Sequence, residues 1–339
     1  MGSRIRRCRL VLLLLSAAGL LVLPAGRPTT AVAAEPASQR IVSLNPSLTA
    51  ILVALGVSDR LVGVDVWSHR QNPQLVALPT VGGLYNPSIE AVVSAKPDLV
   101  VFVPSAEQRE FQARLSDLGV RVEAFDPLRF EDVLASIERL GRLAGAEERA
   151  RERTARIRAV RASIERAVAG QPVPRTVLVL QRDPLFVVGG GNFIDEMLAS
   201  VGAANVAAGW SEPYPRVSLE WLVAQAPEVI LDSSRDAAPP ERYWARFASL
   251  PAVVNGRIVR LPAGAATLPG PALDEALRLL ARSVHGEAPS TNGEARSTNG
   301  EARSINGQAR RVPGEGARRV HATRPAEISA GPTGAGPTP

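Results

Sequence analysis

The sequence predicts an α/β protein made of two lobes joined by one long helix. Three observations carry this expectation. From about Arg40 to Gly286, apolar runs of strand length alternate with helical stretches. The alternation breaks once, over residues 146–170, where an uninterrupted helical pattern takes its place. One segment is written twice, with a copy on each side of that break.

The chain opens with a segment that reads as a cleavable signal peptide, residues 1–34. Arg4, Arg6, Arg7 and Arg9 form a basic head. Leu10 to Leu23 is almost wholly apolar, and Thr30-Ala31-Val32-Ala33-Ala34 offers small residues for cleavage. The apolar run is short for the ~20 residues that a membrane span needs. The pair Arg6-Arg7 leaves general secretory and twin-arginine export both open. Cys8 is the only cysteine and precedes the apolar run, so the mature chain has no disulfide, no thiolate metal site and no lipid-bearing cysteine. The formal charge is +6, but five arginines and no acid lie within residues 1–34. The remainder carries about +1, which calls for no nucleic-acid partner.

A first lobe is expected over residues 40–145. Ile41 to Leu44 reads as a strand and Ser47 to Leu55 as a helix closed by Gly56. Leu61 to Val66 is a strand, Ile89 to Ala95 a helix and Asp98 to Val103 a buried strand. Glu107 to Leu118 is a helix, Val120 to Phe125 a strand and Phe130 to Leu143 a helix. In the connector, Ala150, Thr154, Ile157, Val160, Ile164 and Val168 recur at helical spacing. At ~1.5 Å per residue such a helix is about 35 Å long, enough to bridge two lobes. A second lobe follows over residues 171–286. Its strands are Thr176 to Gln181, Leu185 to Val188, Glu228 to Leu231 and Arg257 to Leu261. Its helices are Phe193 to Val201, Leu219 to Ala224, Tyr243 to Leu250 and Ala272 to Val284. Largely parallel sheets fit this alternation. Residues 287–339 hold three seven-residue copies that begin at Ser290, Ser297 and Ser304, each with an Asn-Gly pair, followed by a Gly/Pro-rich end. A stretch so poor in apolar residues reads as a disordered tail.

The repeated segment runs from Ser88-Ile-Glu90 through Pro97-Asp98-Leu-Val-Val101, and again from Ser218-Leu-Glu220 through Pro227-Glu228-Val-Ile-Leu231. Ser88 and Ser218 are placed to cap the following helix, and Glu90 and Glu220 fall in its first turn, where the helix dipole favours a negative charge. Taken singly, each glutamate is a good first-turn residue and nothing more. Taken as a pair, one at the tip of each lobe, they form a set of docking charges.

Several motifs resemble those of the periplasmic substrate-binding proteins for cobalamin, ferric siderophores and haem. They are Arg40-Ile-Val-Ser-Leu-Asn-Pro-Ser-Leu-Thr49, Leu61-Val-Gly-Val64, Leu78-Pro-Thr-Val-Gly-Gly83, Asn86-Pro-Ser-Ile-Glu90, Val217-Ser-Leu-Glu220 and Val253-Val-Asn-Gly-Arg-Ile-Val259. The resemblance covers about residues 40–284 and is closest to cobalamin-binding members. It implies two Rossmann-like lobes joined by a single long helix, with the ligand held in the cleft between them. It also implies a monomer that delivers its ligand to the permease dimer of an ABC importer and meets the membrane only through that permease. On this resemblance Glu90 and Glu220 are the residues that pair with permease arginines. The protein is then expected to be periplasmic, to be no enzyme and to use no cofactor, the metal chelate being its cargo.

In open α/β sheets, ligands sit beyond the carboxyl ends of the strands. The cleft is expected to be lined by the loops before the repeated helices and by neighbouring strand ends: Tyr85 and Tyr214 lie in those loops, Trp67 follows the second strand, and Phe186 precedes the triple glycine. With His69, which either contacts a chelate or sits at the cleft rim, these are the candidate ligand-binding residues. Flat rings suit a corrin or porphyrin. For haem, Tyr85 is a candidate axial ligand. For an anionic ferric siderophore, Arg70, Arg182 and Arg216 are candidate cations. Cobalamin-binding members often carry a Tyr-Pro pair after the second strand, where this chain has His69-Arg70-Gln71-Asn72-Pro73. Trp221 and Trp244 lie inside expected helices and are assigned to packing.

Other classes fare less well. Gly189-Gly190-Gly191 lacks the later glycine of a dinucleotide loop, since position 194 is Ile. His69, His285 and His321 are the only histidines, and they make no paired metal motif and no Ser/His/Asp set. A single histidine near the cleft is too few for direct zinc or manganese binding. A purely structural exported protein would need neither the paired glutamates nor the cleft aromatics.

Overall fold

Parallel strands covered on both faces read as nearly continuous apolar runs, and two central strands of this protein do so: Leu99–Phe102 and Val229–Asp232 are buried at every position, with Asp232 the one polar residue among them. The computed structural model describes residues 37–104 and 109–286. The expected signal peptide and the repeat tail lie outside the described residues. The first lobe contains β1 (Ile41–Ser43), α1 (Pro46–Ala54), β2 (Leu61–Val64), α2 (Val66–Gln71), α3 (Ile89–Ser94), β3 (Leu99–Phe102), α4 (Arg109–Asp117), β4 (Val122–Ala124) and α5 (Phe130–Leu143). The long helix α6 spans Glu147–Val168. The second lobe contains β5 (Arg175–Arg182), β6 (Leu185–Val187), α7 (Phe193–Ser200), β7 (Ala204–Asn205), α8 (Leu219–Gln225), β8 (Val229–Asp232), α9 (Pro240–Trp244), α10 (Pro251–Val254), β9 (Ile258–Arg260) and α11 (Leu273–His285).

The two sheets share one plan. The first has the order β2-β1-β3-β4, all parallel. In the second, β5, β8 and β9 repeat the places of β1, β3 and β4, and β7 pairs parallel to β5 where β2 pairs with β1. The departure is β6, which runs antiparallel beside the end of β5. Only Asp183 and Pro184 separate the two strands, and so short a link allows nothing but a hairpin.

Two further differences from the sequence expectation have local causes. The second strand ends at Val64 rather than Val66 because the Asp65 carboxylate accepts hydrogen bonds from the Trp67 and Ser68 amides, which starts α2 there. The helix expected over Tyr243 to Leu250 lies earlier, at Pro240–Trp244, with Pro240 in its first turn.

The duplication reaches beyond the segment visible in the sequence. Arg40 donates to the carbonyls of Ala95 and Lys96 at the end of α3, at 2.7 and 2.8 Å. Arg175 donates to the Gln225 carbonyl at the end of α8, at 2.6 and 3.1 Å. Asp98 accepts from the Arg40 amide and Glu228 from the Arg175 amide. Each arginine therefore satisfies carbonyls left open at a helix terminus. Lys96 and Ala226 hold the same place in the two copies, and both are left-handed, with φ of 47° and 45°. A β-carbon is strained there, and glycine is not. Ala226→Gly is expected to stabilise the protein by about 0.5 kcal/mol, the strain relieved less the added unfolded-state freedom. Urea unfolding at constant m-value measures this; an unchanged or lower midpoint refutes it.

The lobes are not independent bodies. A single apolar cluster runs from Ile41 and Leu52 through Ile137 and the α6 residues Ala150 and Ile157 to Met197 and Leu277. Polar links reinforce it. The Phe193 amide donates to the Leu128 carbonyl at 2.7 Å, the Phe130 amide to Glu196 at 2.9 Å, and Arg153 of α6 pairs with the buried Asp274 of α11. A continuous close-packed core of this kind resists large hinge motion.

Candidate functional site

The carboxyl ends of the two sheets face each other. Arg235, in the turn after β8, lies over the Trp67 ring of the first lobe, 6.0 Å from its centroid. Gly270, before α11, comes so near the start of α1 that an added Cβ would lie 3.8 Å from the Ser47 carbonyl oxygen. The space bounded by these edges is the candidate site, at the position the rule for open sheets predicts.

Trp67 is the best anchored of the expected residues. It stands in the first turn of α2, capped by the buried Asp65. Behind that cap, the hydroxyls of Ser43, Thr49 and Ser68 link in a buried chain at 2.8 and 2.9 Å, which ends on the Asp65 carboxylate. A fully satisfied buried network of this kind fixes one orientation of the helix. The indole is nevertheless 43% exposed. Arg70, one helical turn on, covers it at 5.7 Å.

His69 takes a different place on the helix from Trp67. It lies two residues from Trp67, about 200° around the helix, and its Nε2 lies 3.1 Å from the Val76 carbonyl. That contact ties α2 to the following turn. Tyr85 sits at the tip of a turn closed by the bridge between Gly82 and Pro87 and is 71% exposed. Gly82 has φ +106°, and a Cβ there would meet three backbone atoms at 2.8 Å, so this turn requires glycine.

In the second lobe Phe186 is half-buried on β6, opposite Gln181 and bridged to Arg216. Tyr214 is 40% exposed, yet its surroundings desolvate the phenol enough to push its pKa up. The triple glycine explains how Tyr214 is held. A Cβ at Gly190 would fall 2.1 Å from the Ala208 carbonyl oxygen, and the Gly189 and Gly190 amides donate to the carbonyls of Pro213 and Trp210. These glycines let the loop carrying Tyr214 lie against β6.

Arg182, a candidate cleft cation from the sequence, does not serve as one. Its side chain is 1% exposed and pairs with Asp232 at 2.9 Å. Asp232 also accepts from the Trp244 indole and from Ser234. Burial pushes the Asp232 carboxyl up, but the bonds from Ser234, Arg182 and Trp244 outweigh it and hold its pKa below the ordinary value. Trp244 is fully buried, and Trp221 packs edge-on against Trp210 at 5.9 Å, so both are packing residues as expected.

Glu90 and Glu220 occupy matching places. Ser88 and Ser218 cap their helices through the Ala91 and Trp221 amides. Each carboxylate is exposed, with its pKa lowered by its own backbone amide and by the adjacent serine hydroxyl. The following residues repeat too: Val92 and Leu222 are buried, and Val93 and Val223 are exposed.

Two residues of the site escaped the sequence reading, Asp65 and Arg235. Asp65 carried a signal, a helix-capping residue directly after a strand. Arg235 follows the carboxyl end of β8, the same kind of place that marked the other candidates. A further pocket, lined by Pro172, Val173, Glu228, Arg257 and His285, lies at the opposite, amino-terminal edge of the second sheet and has no part in this site. Among the described residues no group of three or more His, Cys, Asp or Glu is placed to hold a metal ion.

Known proteins resemble this arrangement. The vitamin B12-binding protein of Vibrio cholerae serotype O1 is 27% identical over 234 residues, which cover 69% of this chain and 84% of that protein. The crystal structure of the Vibrio cholerae periplasmic vitamin B12 binding protein BtuF matches with a TM-score of 0.65 at 26% identity, covering 73% of this chain and 96% of that one. The apo periplasmic heme-binding protein RhuT from Roseiflexus sp. RS-1 matches equally well, with a TM-score of 0.65 at 25% identity, covering 74% of this chain and all of that one. The family model described as periplasmic binding protein matches residues 41–265, about two thirds of the sequence, and the chain belongs to that family.

Proposed function

We propose that this protein is the periplasmic substrate-binding component of an ABC importer. It binds cobalamin or a related corrinoid between its lobes and hands it to a permease through Glu90 and Glu220. The observation that carries the ligand class is Trp67. An indole carried on a helix whose start is fixed by a buried polar network, and itself 43% exposed, offers a stacking surface. Tyr85 and Tyr214, both exposed, are further rings that such a ligand can meet. A pre-formed site of this kind needs little reordering when a large flat ligand enters.

Titration of the mature protein with cyanocobalamin tests the reading. Saturable binding at or below micromolar concentration is expected, and Trp67→Ala is expected to weaken it about 30-fold, as loss of a central aromatic anchor does. The equal likeness to RhuT favours haem as the second reading. Haem or a ferric siderophore bound in place of cyanocobalamin overturns the corrinoid assignment while leaving the transport role intact.

A further inference from the structure

We infer that Arg70 and Arg235 form an anion subsite around Trp67, so that the ligand is a flat metal chelate bearing a phosphate or carboxylate beside its ring. The inference rests on the reading that a ring-shaped ligand stacks on Trp67.

The two guanidiniums come from different lobes. Arg70 reaches the indole from α2 itself, at 5.7 Å, and Arg235 reaches it across the space between the sheets, at 6.0 Å. Among the described residues neither is paired with a carboxylate. Arg129, Arg139, Arg151, Arg153 and Arg158 all have acidic partners elsewhere on the molecule. Even the neighbouring acid is engaged elsewhere, since Asp236 lies 3.6 Å from the buried Arg182. Arg70 and Arg235 therefore keep their full donor capacity, and the attraction they share among the described residues is to the Trp67 ring.

A ligand plane cannot share an indole face with a guanidinium. Entry of a flat ligand must displace Arg235, which sits on the exposed turn after β8, whereas Arg70 is tied to the rigid helix α2. The cation–π attraction that Arg235 gives up is modest at an exposed ring, and worth little against a charged hydrogen bond to an incoming anion. The displaced guanidinium remains within reach of the ligand's edge, and the planar fork of arginine suits both phosphate and carboxylate. An uncharged ring would leave two unpaired cations partly desolvated beside the bound ligand, which is unfavourable. The subsite thus selects for the anionic group and at the same time ties the second lobe to a ligand stacked on the first.

Four probes test this: cyanocobalamin, which carries a nucleotide phosphate; dicyanocobinamide, which lacks it; haemin; and haemin dimethyl ester. Wild-type protein, Arg235→Gln, Arg70→Gln and Trp67→Ala are titrated with each. Arg235→Gln is expected to weaken the anion-bearing member of whichever pair binds about tenfold, and to leave its neutral counterpart unchanged or slightly tighter. Trp67→Ala is expected to weaken both members alike. If Arg235→Gln and Arg70→Gln each shift both members by the same factor, or shift neither, the anion subsite is refuted although a ring ligand binds. If the wild-type protein binds none of the four, the ring-ligand reading falls and the subsite with it.

Discussion

With Glu90 and Glu220 both changed to alanine, ligand affinity is expected to stay within about twofold of wild type, while docking to the cognate permease weakens roughly 100-fold. The stimulated ATPase rate and uptake should fall with it. Both residues are exposed in the first turns of their helices, and their serine caps remain after the substitution, so neither the fold nor the site should change. Both carboxylates are held below the ordinary pKa, by their own backbone amides first and by Ser88 and Ser218 second. They therefore stay charged over a wider acidic range than free glutamates. Carboxylate–guanidinium pairs across an interface set orientation and association rate, and losing one at each lobe removes both points of registry. Each single variant should show a partial loss, with the effect shrinking as salt is raised. Undiminished transport by the double variant would falsify the docking role. Loss of ligand binding together with transport would show instead that the glutamates support the site or the fold.

Asp232→Ala is expected to be the most damaging single change to stability, about 3–5 kcal/mol, because it strands a buried cation. For a body of this size that corresponds to a Tm lower by roughly 10 °C. Asp232 is fully buried and accepts bonds from Arg182, Ser234 and the Trp244 indole. Among the described residues the Arg182 Nη2 has no hydrogen-bond partner. Without Asp232 the guanidinium keeps only the Ala238 carbonyl, the Tyr243 ring and the half-exposed Asp236 at 3.6 Å, a weaker set than a fully buried carboxylate. The pH dependence follows from the lowered pKa of Asp232. A carboxyl with a lower pKa in the folded state contributes stability that is complete above its unfolded pKa. That contribution drains away as pH falls through the folded value. Wild-type protein should therefore lose stability on acidification through this window, and Asp232→Asn should show a flatter acid limb. Thermal unfolding from neutral to acid pH measures both. A wild-type and variant pair that differ by less than ~1 kcal/mol, with parallel acid limbs, would remove this network from the account.

The alternation of strands and helices, the long helix, the capped glutamates and the family resemblance were all legible in the sequence. Each depends on residues close together in the chain: a serine two residues before a glutamate, a proline before an apolar run, apolar positions at helical spacing. The equivalence of Arg40 with Arg175 was not legible. The stretch from Arg40 to Glu90 is five residues longer than that from Arg175 to Glu220, so the offset that aligns the glutamates misaligns the arginines. Helix α2 was missed because the run Leu61 to Val66 looks continuous, and the cap at Asp65 outweighs the β-preference of Val66.

By itself, the sequence determined most of the helices and strands, and that two halves of one plan flank a long helix, because these follow from local capping and periodicity. Only the tertiary structure decided which arginines are available. Arg182 and Arg235 stand at the carboxyl ends of neighbouring strands and look alike in the sequence. One is buried on Asp232, and the other reaches across to Trp67. That difference arises from which carboxylate each guanidinium meets once the sheets have packed, and no local pattern encodes it.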